Sequence, residues 1–236
     1  LVDGLVKLKS LVSTTAERRM PALALTDEAN LFGLVKFYKA AQGAGLKPII
    51  GSDLWLSNPH DEAHPYRITL LAMNDVGYRN LTELISKGWT DGQRQGRAIL
   101  DKQWVLAQSE GLIALSGGRE GEIGRHLLSE HEREARQLLE EWQQAFPDRF
   151  YLELIRTGRP LEEACVHASV QLAIETGTPV VATNDVRFLE REDFWAHETR
   201  VAIGEGKALD DPRRERRYTE EQYLKSPDEM AALFAD

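Results

Sequence analysis

Three segments of the chain share one shape. Pro21-Ala22-Leu23-Ala24-Leu25-Thr26-Asp27, Pro48-Ile49-Ile50-Gly51-Ser52-Asp53 and Pro179-Val180-Val181-Ala182-Thr183-Asn184-Asp185 each run from a proline through an apolar stretch to a carboxylate. In a parallel α/β fold the C-terminal ends of the strands converge on one face, and sites are built there. Glu28 adds a fourth acid. Carboxylates aimed at one mouth repel one another unless a cation intervenes, so a divalent metal or an arginine is the natural partner. Arg187, two residues beyond Asp185, can be that cation. The spacing leaves a plainer reading open, in which these acids cap the helices that follow.

The histidines assemble no ligand set. His60 and His64 are four apart, a zinc spacing on a helix, but Pro59 and Pro65 bracket them and predict a surface loop. His126 and His131 flank a helix junction, and His197 reads as a hydrogen-bonded helix histidine. The single Cys165 excludes a disulfide framework and a thiolate zinc site, and it fits a reducing cytosol. No Gly-rich phosphate loop, nucleophile elbow or His-Glu-x-x-His run occurs. The net charge of −9 argues against a surface that wraps DNA. Residues 1–118 are near balance, with 13 Lys+Arg against 12 Asp+Glu; the remainder holds 16 against 26. Arg213, Arg214, Arg216 and Arg217 form a local exception, either a loop neutralised by neighbouring acids or a nucleic-acid contact.

The elements that must position these residues alternate along the chain. Leu5, Leu8, Leu11 and Val12 recur at helical spacing, and the three proline-led runs read as short buried strands. Asn30 is placed to cap a helix carrying Leu31, Leu34, Val35 and Tyr38, which Gly43 and Gly45 end. Strands follow over 48–56 and 66–73, then a helix with Leu81, Leu84 and Ile85 and a polar stretch over about 91–108. The grammar resumes with a strand at 111–116, a helix with Ala135, Leu139 and Trp142, and a strand at 149–155. A helix with Cys165, Leu172 and Ala173, the third proline-led strand, and helical character near 192–203 and 219–234 complete it. Apolar runs without alternation imply parallel strands covered by helices on both faces. The class is α/β, a barrel at this length, with a doubly wound open sheet as the alternative. With 42 % apolar residues the 236-residue chain can bury a globular core, and it has no run of ~18 apolar residues for a membrane span. A chain beginning at Leu1 is expected to be part of a longer protein.

Thr26-Asp27-Glu28-Ala29-Asn30-Leu31-Phe32-Gly33, Gly45-Leu46-Lys47-Pro48-Ile49-Ile50-Gly51 and Gly77-Tyr78-Arg79-Asn80-Leu81 carry a resemblance. So do Gly111-Leu112-Ile113-Ala114-Leu115-Ser116-Gly117, Phe146-Pro147-Asp148-Arg149-Phe150-Tyr151-Leu152-Glu153-Leu154 and Val181-Ala182-Thr183-Asn184-Asp185-Val186. In this order they resemble the N-terminal polymerase-and-histidinol-phosphatase (PHP) domain of bacterial DNA polymerase III alpha subunits. The resemblance implies a distorted (β/α) barrel, here with its first strand missing or incomplete. It implies one domain over 1–236, with the barrel to about 205 and the connection to a polymerase core starting at about 206.

By the same resemblance Asp3 and Asp185 match metal ligands of the family, while other positions depart from it. Glu28, Arg67 and Arg187 stand where metal-binding members carry histidine, Asp53 where they carry glutamate, and Gly118 where they carry cysteine. Thr157 lies in a stretch where histidine is common. Arginine has no lone pair to give a cation. The expectation is therefore a vestigial metal site rewired into ion pairs, with no catalytic residue, no metal and no cofactor. Such a domain would be a cytoplasmic scaffold supporting the polymerase core of the same chain and docking a proofreading exonuclease. It would meet DNA only through its parent, which would hold Mg²⁺ elsewhere, and it would involve no membrane. The alternative is an active metal-dependent phosphoesterase or 3′–5′ exonuclease. A stand-alone sugar-phosphate or histidinol-phosphate enzyme would require the ligand set to be complete.

Overall fold

The structure is a computed structural model and describes residues 4–236. Helix α1 (Leu8–Glu17) leads into strand β1 (Ala22–Leu25), helix α2 (Leu34–Gly43), and strands β2 (Lys47–Leu56) and β3 (Tyr66–Ala72). Next come α3 (Asp75–Thr90), β4 (Gln93–Arg94), β5 (Arg97–Leu100), α4 (Lys102–Ala107) and β6 (Leu112–Leu115). The rest of the chain forms α5 (Glu122–Leu128), α6 (Glu132–Ala145), β7 (Phe150–Ile155), α7 (Glu162–Thr176), β8 (Val180–Thr183), α8 (Phe194–Glu205) and α9 (Pro227–Leu233).

The strands join in the order β4-β5-β2-β3-β6-β7-β8, with β1 paired to the first half of β2. Parallel pairing links β1–β2, β2–β5, β6–β7 and β7–β8. Strand β3 differs from the all-parallel expectation, running antiparallel to both β2 and β6. Its reversal follows from chain length. Residues 57–65 are fewer than the dozen or so a parallel crossover needs. The reversal matters for the site, because it puts the start of β3 beside the end of β2, with Arg67 opposite Trp55 and Thr69 opposite Asp53. Among the described residues no ladder joins β8 to β1.

The main core fills the space between this sheet and α3, α5, α6 and α7, with Leu54, Leu70, Leu84, Leu112, Trp142 and Phe150 fully or almost fully buried. Trp142 stacks on Phe150 at 5.6 Å between ring centres. A smaller core of Val12, Phe37, Ala41 and Leu46 lies under α1 and α2. Helix ends obey local chemistry. Asn74 accepts from the Gly77 N–H at 3.0 Å at the start of α3, and Ser226 and Glu229 form a reciprocal cap on α9.

Other expectations change. Asn30 does not cap α2; its side chain accepts from Phe32 N instead, and the helix starts after Gly33. The buried face of α2 is Phe37 and Ala41, leaving Val35 and Tyr38 exposed. The polar stretch near 91–108 forms β4, β5 and α4, the last capped by Asp101. Helix α9 covers only Pro227–Leu233 of the helical stretch expected over 219–234.

Two glycines separate backbone strain from crowding. Gly117, after β6, has φ +79, and a Cβ there would sit 2.2 Å from the Arg67 carbonyl oxygen. Gly45 has φ +74 with nothing within 4 Å. Gly45→Ala should cost about 1 kcal/mol, the left-handed backbone term alone. Gly117→Ala adds a clash with β3 and should cost about 3 kcal/mol. Urea unfolding of the two variants measures the difference.

Candidate functional site

The strand ends do bring charged side chains together, around one buried carboxylate. Asp185 leaves β8 two residues after Thr183 and is enclosed by three guanidinium groups from three parts of the chain. Arg187 Nη2 lies 2.8 Å from Oδ1, Arg159 Nη1 3.2 Å from Oδ2, and Arg67 Nη2 3.5 Å from Oδ1. Gln222 Nε2 donates to Oδ2 at 2.9 Å. Burial alone would push the Asp185 carboxyl up, but Arg187, Arg67 and Arg159 more than offset it and hold it well below the usual carboxylate range.

Each partner is fixed in turn. Arg67 donates its shortest bond to Asp53 Oδ2 at 2.6 Å, and Thr69 Oγ1 donates to the other oxygen of Asp53 at 2.6 Å. Arg159 Nε donates to Glu162 at 2.6 Å, and that carboxylate also accepts from the backbone N–H and hydroxyl of Thr157 at 2.6 and 2.8 Å. Glu153, buried in the middle of β7, accepts from Thr183 Oγ1 at 2.6 Å and from Gly117 N at 3.1 Å. Burial raises its pKa and the neighbouring acids Asp53 and Asp185 add to the rise, against the lowering influence of Arg67 and Thr183. Asp27, half-buried near Asp53, is also pushed up by burial, although the Gly33 N–H works against it.

Of the positions read from sequence, Asp53, Arg67, Asp185 and Arg187 share this cluster. Glu28 does not enter it. Its residue is exposed and its backbone bridges to Asp53, but among the described residues no ion pair reaches its carboxylate. Gly118 lies in the turn after β6 at φ +54, where a Cβ would meet the Ile155 side chain at 3.0 Å. Asp3 lies outside the described residues. Arg159, Glu153 and Gln222 were not singled out. Only Glu153 leaves a trace in the sequence, a lone charge inside the apolar run Phe150–Ile155. Elsewhere, His64 pairs with Asp61 at 2.7 Å in an exposed loop. Arg213, Arg214 and Arg217 pair with Asp211, Glu198 and Glu205, each at 2.8 Å. That pairing favours the neutralised-loop reading of the cluster. Among the described residues one group of ligand-type side chains lies within metal-binding reach, the exposed Glu163, His167 and Asp236, and Arg156 already pairs with two of them.

The PHP domain family model matches residues 1–157, most of the chain. The chain belongs to the PHP family. It is 57 % identical over all 236 residues to DNA polymerase III subunit alpha of Pseudomonas aeruginosa and 50 % identical to that of Escherichia coli K12. It spans about a fifth of the length of these relatives, 20 % in each case. In fold it is similar to a putative metal-dependent phosphoesterase from Bifidobacterium adolescentis at 13 % identity, covering 78 % of this chain and 83 % of that one, with a TM-score of 0.50. An amidohydrolase from Chromobacterium violaceum is similar at 14 % identity and a TM-score of 0.50, covering 76 % and 81 %. The mixed α/β sheet of this PHP domain is that of a distorted (β/α) barrel.

Asp185 and Glu153 should respond oppositely to loss of charge. The folded pKa of Asp185 lies below its unfolded value, so its contribution is complete above about pH 4 and is lost as pH falls below that. That of Glu153 is raised, so ionised Glu153 weighs against the fold above its folded pKa, and protonation relieves the cost. Asp185→Asn should therefore cost about 3–5 kcal/mol at pH 7, because it removes the buried carboxylate that Arg67, Arg159 and Arg187 share. Glu153→Gln should stay within about 1 kcal/mol of the parent protein. Denaturant titrations at pH 7 and about pH 3 check both, and the Asp185→Asn deficit should shrink at the lower pH.

Proposed function

We propose that this PHP domain is a structural part of a DNA polymerase III alpha subunit, with arginines where metal-binding relatives hold cations. The observation that carries the reading is the enclosure of Asp185 by Arg67, Arg159 and Arg187. A divalent ion needs free oxygen lone pairs at one point in space. Here the oxygens of Asp53 and Asp185 already accept from arginine, threonine and glutamine. The described residues of this cluster do not fit a metal centre, and no hydrolytic step is assigned to them.

On this reading the domain supports the polymerase core of its own chain and serves as a platform for the proofreading exonuclease in chromosomal replication, in the cytoplasm. Mg²⁺-dependent nucleotidyl transfer and contact with DNA belong to other parts of the parent. Among the described residues no helix is long and apolar enough to cross a membrane. The competing reading is a metal-dependent phosphoesterase or 3′–5′ exonuclease, kept in view by the convergence of Asp53, Glu153 and Asp185.

Incubation of the purified chain with Mn²⁺, Mg²⁺ or Zn²⁺ separates the two. We expect release of phosphate from p-nitrophenyl phosphate, and of nucleotides from 3′-labelled single-stranded DNA, no faster than with Asp185→Ala. Metal-dependent turnover that chelator and Asp185→Ala both abolish would overturn the scaffold reading.

A further inference from the structure

Residues 219–225 lie across the exit of β8 as a strap, with no helix of their own and a single β-bridge, from Tyr223 to Phe188. Side chains do most of the fastening. Gln222, which has no exposed surface, donates from Nε2 to Asp185 Oδ2 at 2.9 Å and to the Asp185 carbonyl oxygen at 3.3 Å. Its Oε1 accepts from the Thr219 N–H at 3.0 Å. Thr219 Oγ1 donates to the Thr157 carbonyl oxygen, and the Thr157 N–H donates to the Glu162 carboxylate that also binds Arg159. Two backbone bonds run between strap and exit in opposite senses. The Arg187 N–H donates to Gln222 O at 2.8 Å, and the Leu224 N–H donates to Phe188 O at 3.1 Å.

These bonds depend on one another. A buried amide is satisfied only in place, so a turn of the Asp185 carboxylate takes away an acceptor of Gln222 and leaves its N–H short of a partner. Asn184, Asp185, Arg187 and Phe188 are close neighbours on the same exit, and each bonds the strap. A shift of Asp185 therefore reaches all of them. Two attachments come from outside this group: Arg18 donates to the Leu224 carbonyl oxygen, and Arg191 pairs with Glu221. The side chains of Arg191 and Glu221 are 50 % and 34 % exposed, and a pair so open to water adds little.

We infer that the strap is a latch set by the Asp185 ion cluster: strap and cluster open together as one cooperative unit while the sheet beneath stays closed. Segments whose bonds are shared in this way open together, at a lower free energy than the core. Arg159 is then a positioning residue for a segment it does not bond. It binds Asp185 and Glu162, and among the described residues it makes no hydrogen bond to 219–225. The course of the chain between β8 and α9 thus follows the charge balance around one carboxylate. The inference goes beyond the scaffold reading, because it names a conformational device inside the domain.

Hydrogen exchange of the whole chain, read amide by amide by NMR, tests it. In the unsubstituted protein the Thr157, Arg187 and Leu224 amides should share one opening free energy. It should lie below that of Ala114 and Leu152, which donate to Arg149 O and Pro179 O within the sheet. Arg159→Met and Gln222→Met should each speed exchange at Arg187 and Leu224 about ten-fold or more, with Ala114 and Leu152 unchanged. Arg136→Ala, which removes the exposed pair with Glu175, should alter none of these amides. Three results would overturn the inference: Leu224 opening apart from Thr157 in the unsubstituted protein; Arg159→Met leaving Arg187 and Leu224 at their original rates; or a common acceleration of all the amides, sheet included. The first measurement needs no variant, so it stands even where Arg159→Met does not fold. The metal and hydrolysis assays are independent of each of these outcomes.

Discussion

A carboxylate buried at the end of a strand has to find compensating charge, and Asp185 finds it from three directions. Burying an unpaired carboxylate costs several kcal/mol even after relaxation. Arg187 comes from its own strand exit, Arg67 from the start of β3, and Arg159 from the turn between β7 and α7. Each of these positions depends on a separate feature of the fold. Arg67 arrives because β3 runs antiparallel, and its backbone is held against Gly117, where no side chain fits. Arg159 arrives because Glu162, in the first turn of α7, ties its guanidinium and its backbone N–H to one carboxylate.

The same carboxylate fastens the chain beyond the sheet. Gln222 donates to the Asp185 side chain and its carbonyl oxygen accepts from the Arg187 N–H at 2.8 Å. Asn184 donates to the carbonyl oxygens of Glu221 and Tyr223, and Leu224 N donates to Phe188 O. The segment expected to begin a connection to other domains is therefore laid across the exit of β8 before α9 starts. Its buried Arg214, paired with Glu198, holds the preceding loop against α8 in the same way.

The sequence was legible where local pattern and tertiary outcome coincide. The proline-led apolar runs became β1, β2 and β8, and the acids at two of their ends reached one cluster. It was less legible where long-range geometry decided. The direction of β3 depends on a loop length rather than on the strand's own residues, which are buried on both faces as a parallel strand's would be. The inward face of helix α2 is not legible locally, because Val35 and Tyr38 compete with Phe37 and Ala41 for burial. Its orientation is set by where α1 and β2 lie. Arg159 and Gln222 carry no signal because their roles come from segments brought to β8 only by folding. Glu28 had the residue type and the register for the site, yet the bridge to Asp53 fixes only its backbone, and its side chain stays in solvent.

Guanidinium groups around a carboxylate differ from a metal ion in more than the identity of the positive charge. A divalent ion binds several carboxylates at a single point and leaves a position open for water or substrate. Arginine delivers its charge through a plane of N–H donors on a side chain anchored elsewhere, so it consumes lone pairs and ties one backbone segment to another. Around Asp185 this makes three ties, to β3, to the turn before α7 and to the segment after β8. Glu153 lies under the same cluster as the acid for which burial outweighs the nearby cation. Its two hydrogen bonds, from Thr183 and from Gly117 N, join β7 to the exits of β8 and β6. The result is a set of charges whose attractions are spent within the fold, holding strand ends in register and leaving few acceptor positions for anything that arrives from solvent.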